Sequence, residues 1–448
     1  MGTSRVERMA HAALPVAQAD SLERCSDDAM LDHLQRAAFD YFLKAANPVN
    51  GLVADTTREA SPSSIAVVGF ALSAYPVGVE HGWMARADAA ERTLRALRFF
   101  KHCDQTGSAG ATGYRGFYFH FLDMETGVRA WQSELSLIDT ALLIAGMLAA
   151  GAYFSADTPA ETEIRALADL LYRRVDWRWA QHDGSCVTHG WKPECGFLNY
   201  GWEGYSEALL LYVLGLGSPT HPLTDASFPA WTVTYQWENL YGYEFLYAGP
   251  LFIHQFSHAW IDFRGIQDRF MREKGCDYFE NSRRAAYVQR EYATRNPRSF
   301  IGYGVDCWGL SAGDGPGVAP RLIAGRRQAF YGYAARGAPY GPDDGTIAGS
   351  ATLGALVFAP EIALPAIRKL YSGGPHGAGE RVRASGFNAT AGELGANDWI
   401  ATGEFGLDCG MIVLTIENYR SGLLWRLGRD SPVINAGLRR AGFSGGWL

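Results

Sequence analysis

Segment after segment of this chain repeats apolar residues at the i, i+3, i+4, i+7 spacing of one helical face. The segments are AMLDHLQRAAFDYFLKAA, SIAVVGFALSAYPVGV, ARADAAERTLRALRFF, SELSLIDTALLIAGMLAAGAYF, ETEIRALADLLYRRV, YSEALLLYVLGLG, PLFIHQFSHAWIDFRGIQDRFMREKG, DYFENSRRAAYVQREYATRN, DGTIAGSATLGALVFA and APEIALPAIRKLYSGG. Pro360 suits a first helical turn, and Gly373-Gly374 suits a helix end. No βαβ alternation interrupts the series, so the expected class is all-α. Several segments are apolar nearly all round and must be covered on more than one side. That favours two concentric layers of helices over a simple bundle.

The connections are long and rich in Gly, Trp, Tyr and Pro, as in HDGSCVTHGWKPECGFLNYGWEGY and FIGYGVDCWGLSAGDGPG. Long structured loops in a compact domain tend to carry function. Minor β pieces are expected in YRGFYFHFLD and in GMIVLTIENY. The simplest organisation is a weakly ordered tail over residues 1–28 and a single domain over residues 29–448.

Composition narrows the partners. The chain has 448 residues, 48% of them hydrophobic and 19% charged, which suffices for a large core. A net charge of -7 with no basic cluster argues against nucleic acid. The 13 Trp and 22 Tyr offer apolar faces with polar edges, which suit sugars as well as cores. The 7 cysteines lack any C-x-x-C pair, so free thiols in a reducing compartment are expected. MGTSRVERMAHAALPVAQAD is a poor signal peptide. The most apolar run carries Glu134 and Asp139 and so predicts a buried helix, with no membrane span. The expected location is cytoplasmic.

Candidate chemistry begins at NYGWEGYSEALLLYVLGLGSPTHP. Ser206 can cap a helix whose first turn holds Glu207, with Glu203 just ahead of it. Trp202, Tyr205 and Tyr200 crowd the same turn. Aromatic packing desolvates a carboxyl and raises its pKa, as a general acid requires; a first-turn acid is also a common structural choice. Glu134 and Asp139 open and enter the most apolar helix, where a charge is costly unless paired or facing a polar cavity. His254, His258 and Asp262 are spaced for one helical face. They lack the Glu of H-E-x-x-H and a further His, so no metal site is expected there; a polar cleft lining or a satisfied core network suits them. Glu280 sits among aromatics and arginines, and a Gly-rich loop adds Tyr303, Asp306, Trp308 and Asp314. No dinucleotide fingerprint, Walker A or G-x-S-x-G occurs, and no cofactor is expected. Many carboxylates and aromatics on a helical frame point to glycoside hydrolysis by two acids.

At these residues the chain resembles a known family. FYFHFLDMETG, SELSLIDTALLIAGML, WEGYSEALLLYVLGLGSPTHPL, YGYEFLYAGPLFIHQFSHAWIDFRGIQD, GYGVDCWGLSAGDGP and IENYRSGLLWRL look like the glucoamylase-like family. That family includes endo-β-1,2-glucanases and the transglycosylating domain of cyclic β-1,2-glucan synthases. The resemblance implies an (α/α)6 toroid, a β-1,2-glucan substrate and, in the hydrolases, inversion. It puts the general acid on Glu207 and further acidic residues on Glu134 and Asp139. Trp202, Glu203, Tyr205, His254, His258, Asp262, Glu280, Tyr303 and Trp308 are the expected substrate contacts. Many members carry an Asp in a G-F-x-D-A-F-N segment as a candidate base; here Ala389 stands at that position. Glu134, Asp139 or Glu280 would then serve. The alternatives are a β-1,2-glucan transglycosylase or a catalytically impaired glucan-binding protein.

Overall fold

The computed structural model describes residues 25–323, 325–372, 377–393 and 397–448. Most of the tail expected over 1–28, and the Gly373-Gly374 stop, lie outside those residues. Helices dominate. The long ones are α1 (Asp27–Lys44), α2 (Ile65–Glu80), α3 (Arg86–His102), α4 (Leu137–Tyr153), α5 (Pro159–Arg174), α6 (Leu209–Gly217), α7 (Tyr278–Arg295), α8 (Pro360–Tyr371), α9 (Gly406–Arg420), α10 (Leu423–Arg429) and α11 (Pro432–Arg440).

Local chemistry sets most of their ends. Ser26 caps α1 by accepting from the Ala29 amide at 3.2 Å, with Asp27 and Asp28 in the first turn and Lys44 in the last. Thr158 caps α5 ahead of Pro159, and Asp277 caps α7 by accepting from the Glu280 amide at 2.7 Å. Pro360 opens α8 as its sequence position suggests.

The all-round apolar helices are the most buried. Nearly every residue of α2 and α4 is buried, and these two pack extensively on one another. Two glycines allow the approach. A Cβ on Gly146 would lie 2.0 Å from the Gly69 carbonyl oxygen, and one on Gly69 would lie 2.4 Å from that of Leu142. Helices α3 and α5, apolar on one face only, lie against α2 and α4.

The strands are short. An antiparallel five-stranded sheet runs in the order Gly113–Tyr114, Phe117–Phe119, Leu135–Ser136, Gly190–Lys192, Gly196–Phe197. Its pairing of Phe119 with Leu135 sets His120 beside Glu134, at the mouth end of α4.

Two expectations fail. GMIVLTIENY forms most of α9 and no strand. Its β-branched run favours strands locally, but the segment is buried on almost every side, where helical backbone bonding satisfies its polar groups internally. PLFIHQFSHAWIDFRGIQDRFMREKG is not one helix. It breaks into turns at Leu251–His254 and Phe256–Ala259, a loop, and a short helix Arg269–Lys274.

Candidate active site

A cavity of about 370 Å³ opens where the N-terminal ends of α4 and α9 meet the turn before α6. Its size falls in the usual range for small-ligand sites. Carboxylates line it from several directions: Glu134 and Asp139, Glu207, and Asp408.

Glu207 sits in the turn two residues ahead of α6, whose first residue is Leu209. Ser206 does not cap this helix; its hydroxyl is buried and unpaired. Ser257 does the work from another segment. Its Oγ accepts from the Leu210 amide at 3.1 Å and donates to the Glu207 carbonyl at 3.2 Å, which fixes the backbone under the acid. The Glu207 carboxyl is partly open to the cavity but deep beneath the surface. Burial pushes its pKa up from 4.5 to about 7, a backbone hydrogen bond opposes the rise, and the charge of Asp139 adds to it.

Opposite stands a charged trio. His120 Nδ1 lies 2.8 Å from Glu134 Oε1, and its Nε2 lies 3.5 Å from Asp139 Oδ2. Ser136, the N-cap of α4, donates to Asp139 Oδ2 at 2.5 Å and accepts from the Asp139 amide. Burial alone would lower the His120 pKa, but the charges of Asp139, Glu134 and Asp55 lift it to about 9. Burial raises and His120 lowers the Glu134 pKa, with a net fall. The three offer donor atoms within 4.8 Å of one another, as a metal site would. The carboxylates, however, meet different nitrogens of the ring, so the set closes on itself as ion pairs.

Asp408, in the first turn of α9, accepts from Ser350 Oγ at 2.6 Å. Burial pushes it up to about 7, Ser350 opposes, and the charges of Asp55 and Asp314 add to the rise. Asp55 is itself raised to about 6, chiefly by burial, with His120 opposing. Asp314 pairs with Arg58. Trp202 lines the wall and stacks on His189 at 4.2 Å between ring centroids.

The expected site residues therefore divide. Glu134, Asp139, Trp202 and Glu207 line one cavity. The other expected contacts are not among its lining residues. His254 bonds the Ala248 carbonyl at 3.2 Å and neighbours Asn281, and burial lowers its pKa to about 4. His258 bonds Ser282 at 3.2 Å and is lowered to about 3 by burial, with His254 contributing. Asp262 is fully buried between Arg264 and Arg429. These three form core networks, because the helix that would have aligned them is broken. Tyr205 packs on Tyr278 and His254. Glu203 is exposed, Glu280 pairs with Arg284 at 2.9 Å, Tyr303 donates to Asp343 at 2.7 Å, and Trp308 is buried.

His120, Asp55 and Asp408 were not singled out from the sequence. Asp408 carried the signal used for Asp139, an acid opening an apolar run, but GMIVLTIENY reads as strand. His120 lies in an alternating aromatic stretch whose neighbour across the sheet only pairing reveals.

Comparison with known proteins places these observations. Residues 199–432 match a family described as "Putative glucoamylase". A curated exo β-1,2-glucooligosaccharide sophorohydrolase (non-reducing end) from Parabacteroides distasonis is 26% identical over 457 residues, covering 93% of this chain. The chain spans 58% of that relative's length. A crystal structure described as a "putative glucoamylase" from Bacteroides uniformis superposes with a TM-score of 0.83 at 30% identity, covering 95% of this chain and 99% of the other. An endo-β-1,2-glucanase from Chitinophaga pinensis, solved with sophorotriose and glucose, gives 0.81 at 27% identity, covering 95% of this chain and 100% of the other.

Proposed function

The chain belongs to the family described as "Putative glucoamylase", and from that membership we propose a glycoside hydrolase acting on β-1,2-glucan or its oligosaccharides. The observation that carries the reading is Glu207, a carboxyl poised at about 7 and facing a wall of carboxylates paired with a cationic His120. The two relatives whose names specify β-1,2-linked glucans support the linkage. The architecture is an (α/α)6 toroid forming a single domain over residues 29–448, the substrate is a carbohydrate chain, and the location is cytoplasmic.

In this mechanism Glu207 protonates the departing glycosidic oxygen. Its raised pKa keeps the proton available near neutrality. Asp139, oriented by Ser136, activates a water on the opposite face of the sugar, and the product anomer is inverted. Glu134 holds His120 in its charged form, and the His120 ring in turn lies between Glu134 and Asp139. Trp202 supplies an apolar face for a sugar ring.

Ala389 is not among the cavity's lining residues, which supports a base drawn from the carboxylates that are. Glu280, bound to Arg284 away from the cavity, is poorly placed as a nucleophile, which favours inversion over transglycosylation. The test is a panel of linear and cyclic β-linked glucans, with products resolved by size and by anomer using NMR. Release of α-anomer from β-1,2-glucan is expected. Initial release of the β-anomer rules out inversion, and no turnover of any β-1,2-glucan sinks the hydrolase reading.

A further inference from the structure

Trp131 stands in a turn that a tryptophan should avoid. The Ser133 amide donates to the Ala130 carbonyl at 3.0 Å, closing a tight turn. Both central residues are left-handed, with φ of 55° at Trp131 and 51° at Gln132. That is type I′ geometry, which strongly prefers Asn and Gly. A bulky residue held there is strained and persists only when its surroundings enforce it.

A buried arginine enforces it. Arg129 donates to the Gln132 carbonyl at 2.8 Å and to the Ser133 carbonyl at 2.6 Å. Glu194 holds the same guanidinium at 2.6 and 3.1 Å. The Arg129 side chain is 1% exposed, so this is a built clamp.

The clamp presents a large ring to solvent. Trp131 is 69% exposed. It is also the outer end of a file of rings. His120, on the cavity wall, stacks on Phe121 with centroids 4.0 Å apart and planes 10° apart, and Phe121 meets Trp131 at 5.0 Å. Two ring-to-ring steps thus lead from the charged trio to open solvent, a span comparable with one or two sugar units. A strained backbone that holds a ring out to solvent at the end of this file fits a functional site better than a structural one.

We infer that Trp131 is an outer platform for a glucosyl ring of a chain extending beyond the cavity. This rests on the proposed glycan substrate and adds where chain length is sensed. The type I′ turn aims the indole; Arg129 and Glu194 keep it aimed with or without ligand.

The test uses Trp131→Gly, since glycine adopts the left-handed conformation freely and leaves the turn intact. Michaelis constants are measured on β-1,2-gluco-oligosaccharides of increasing length, with thermal melting as a check on folding. The ratio of KM for long chains to KM for the shortest cleaved chain is expected to rise about tenfold. Trp131→Phe should restore much of it, and the melting temperature of Trp131→Gly should not fall. An equal change at every length, or none at any, overturns the platform. Calorimetric binding of the same chains separates the two ideas. Binding without cleavage by the wild type sinks the hydrolase reading alone, and equal long-chain binding by wild type and Trp131→Gly sinks the platform alone.

Discussion

The Nδ1 of His120 lies 2.8 Å from Glu134 Oε1, and this contact holds the ring so that its other edge faces Asp139 at 3.5 Å. A cation between two carboxylates offsets their mutual repulsion in a partly buried site. Replacing it with a neutral side chain leaves two like charges facing one another. His120→Asn is therefore expected to move the acidic limb of the pH–rate profile upward, because Glu134, whose pKa His120 lowers, then takes up a proton more readily. The stability effect has the same origin. His120 has a folded pKa of about 9 against an ordinary 6.5. Its stabilisation is complete below 6.5 and is lost as pH rises through 9. Urea unfolding at pH 6 and at pH 10 should show a larger loss for His120→Asn at pH 6. A loss independent of pH, with an unmoved acidic limb, contradicts the assignment.

Glu207→Gln keeps the shape of the side chain and removes its acidity. The expected loss in kcat/KM on β-1,2-glucan is about 10²–10⁴-fold, the usual contribution of a positioned general acid. Reducing-sugar release measures it. A variant at wild-type rate excludes Glu207 as the acid.

The same substitution should stabilise the fold at alkaline pH. Glu207 shifts from 4.5 to about 7 on folding. The native state then binds its proton more tightly than the unfolded chain does, so stability falls as pH rises across that interval. Glutamine removes this penalty. The gain of Glu207→Gln over wild type in thermal melting should be near zero at pH 4 and largest above pH 8. The basic limb of wild-type kcat/KM should fall near pH 7 for the same reason.

Why part of this site was legible beforehand, and part not, follows from what each residue depends on. Glu207 and Asp139 announce themselves as acids beside apolar helical runs, a local mismatch whose cost is visible in sequence. The helices α1 to α5 were legible because their apolar residues recur at helical spacing or fill the whole segment. His120 depends on pairing between Phe119 and Leu135, a contact between segments that no local pattern encodes. Ser257 caps α6 from a distant turn, so the apparent cap at Ser206 misled. His254 and His258 had helical spacing but sit on separate short turns, where their rings are spent on Ala248 and Ser282. Segment α9 shows the limit of propensity: burial on nearly every side erases the periodicity that separates helix from strand.

One wall of the cavity hangs on a buried ion pair. Arg336 and Asp344 have side chains 1% and 0% exposed and meet through two bonds of 2.7 and 3.0 Å. Arg336 also donates to the Gly313 carbonyl at 2.8 Å, and Asp344 accepts from the Tyr331 amide at 2.9 Å and the Thr346 amide at 3.0 Å. Gly313, on a strand paired with Ala334–Ala335, and Tyr333, just before that partner strand, line the cavity. Burial would raise the Asp344 pKa, but Arg336 and the amides hold it below the usual range. Removing one partner strands the other charge in the interior, which costs about 3–5 kcal/mol. Asp344→Asn is therefore expected to lower the unfolding free energy by about that amount at pH 7, by urea denaturation. The deficit should shrink as pH falls below 3.8, where the unfolded carboxyl takes up its proton and the wild type progressively loses the pair. Because the same anchor positions Gly313, the folded variant should also bind substrate more weakly. A loss under about 1 kcal/mol with unchanged KM would mean that the wall is held by its strands alone.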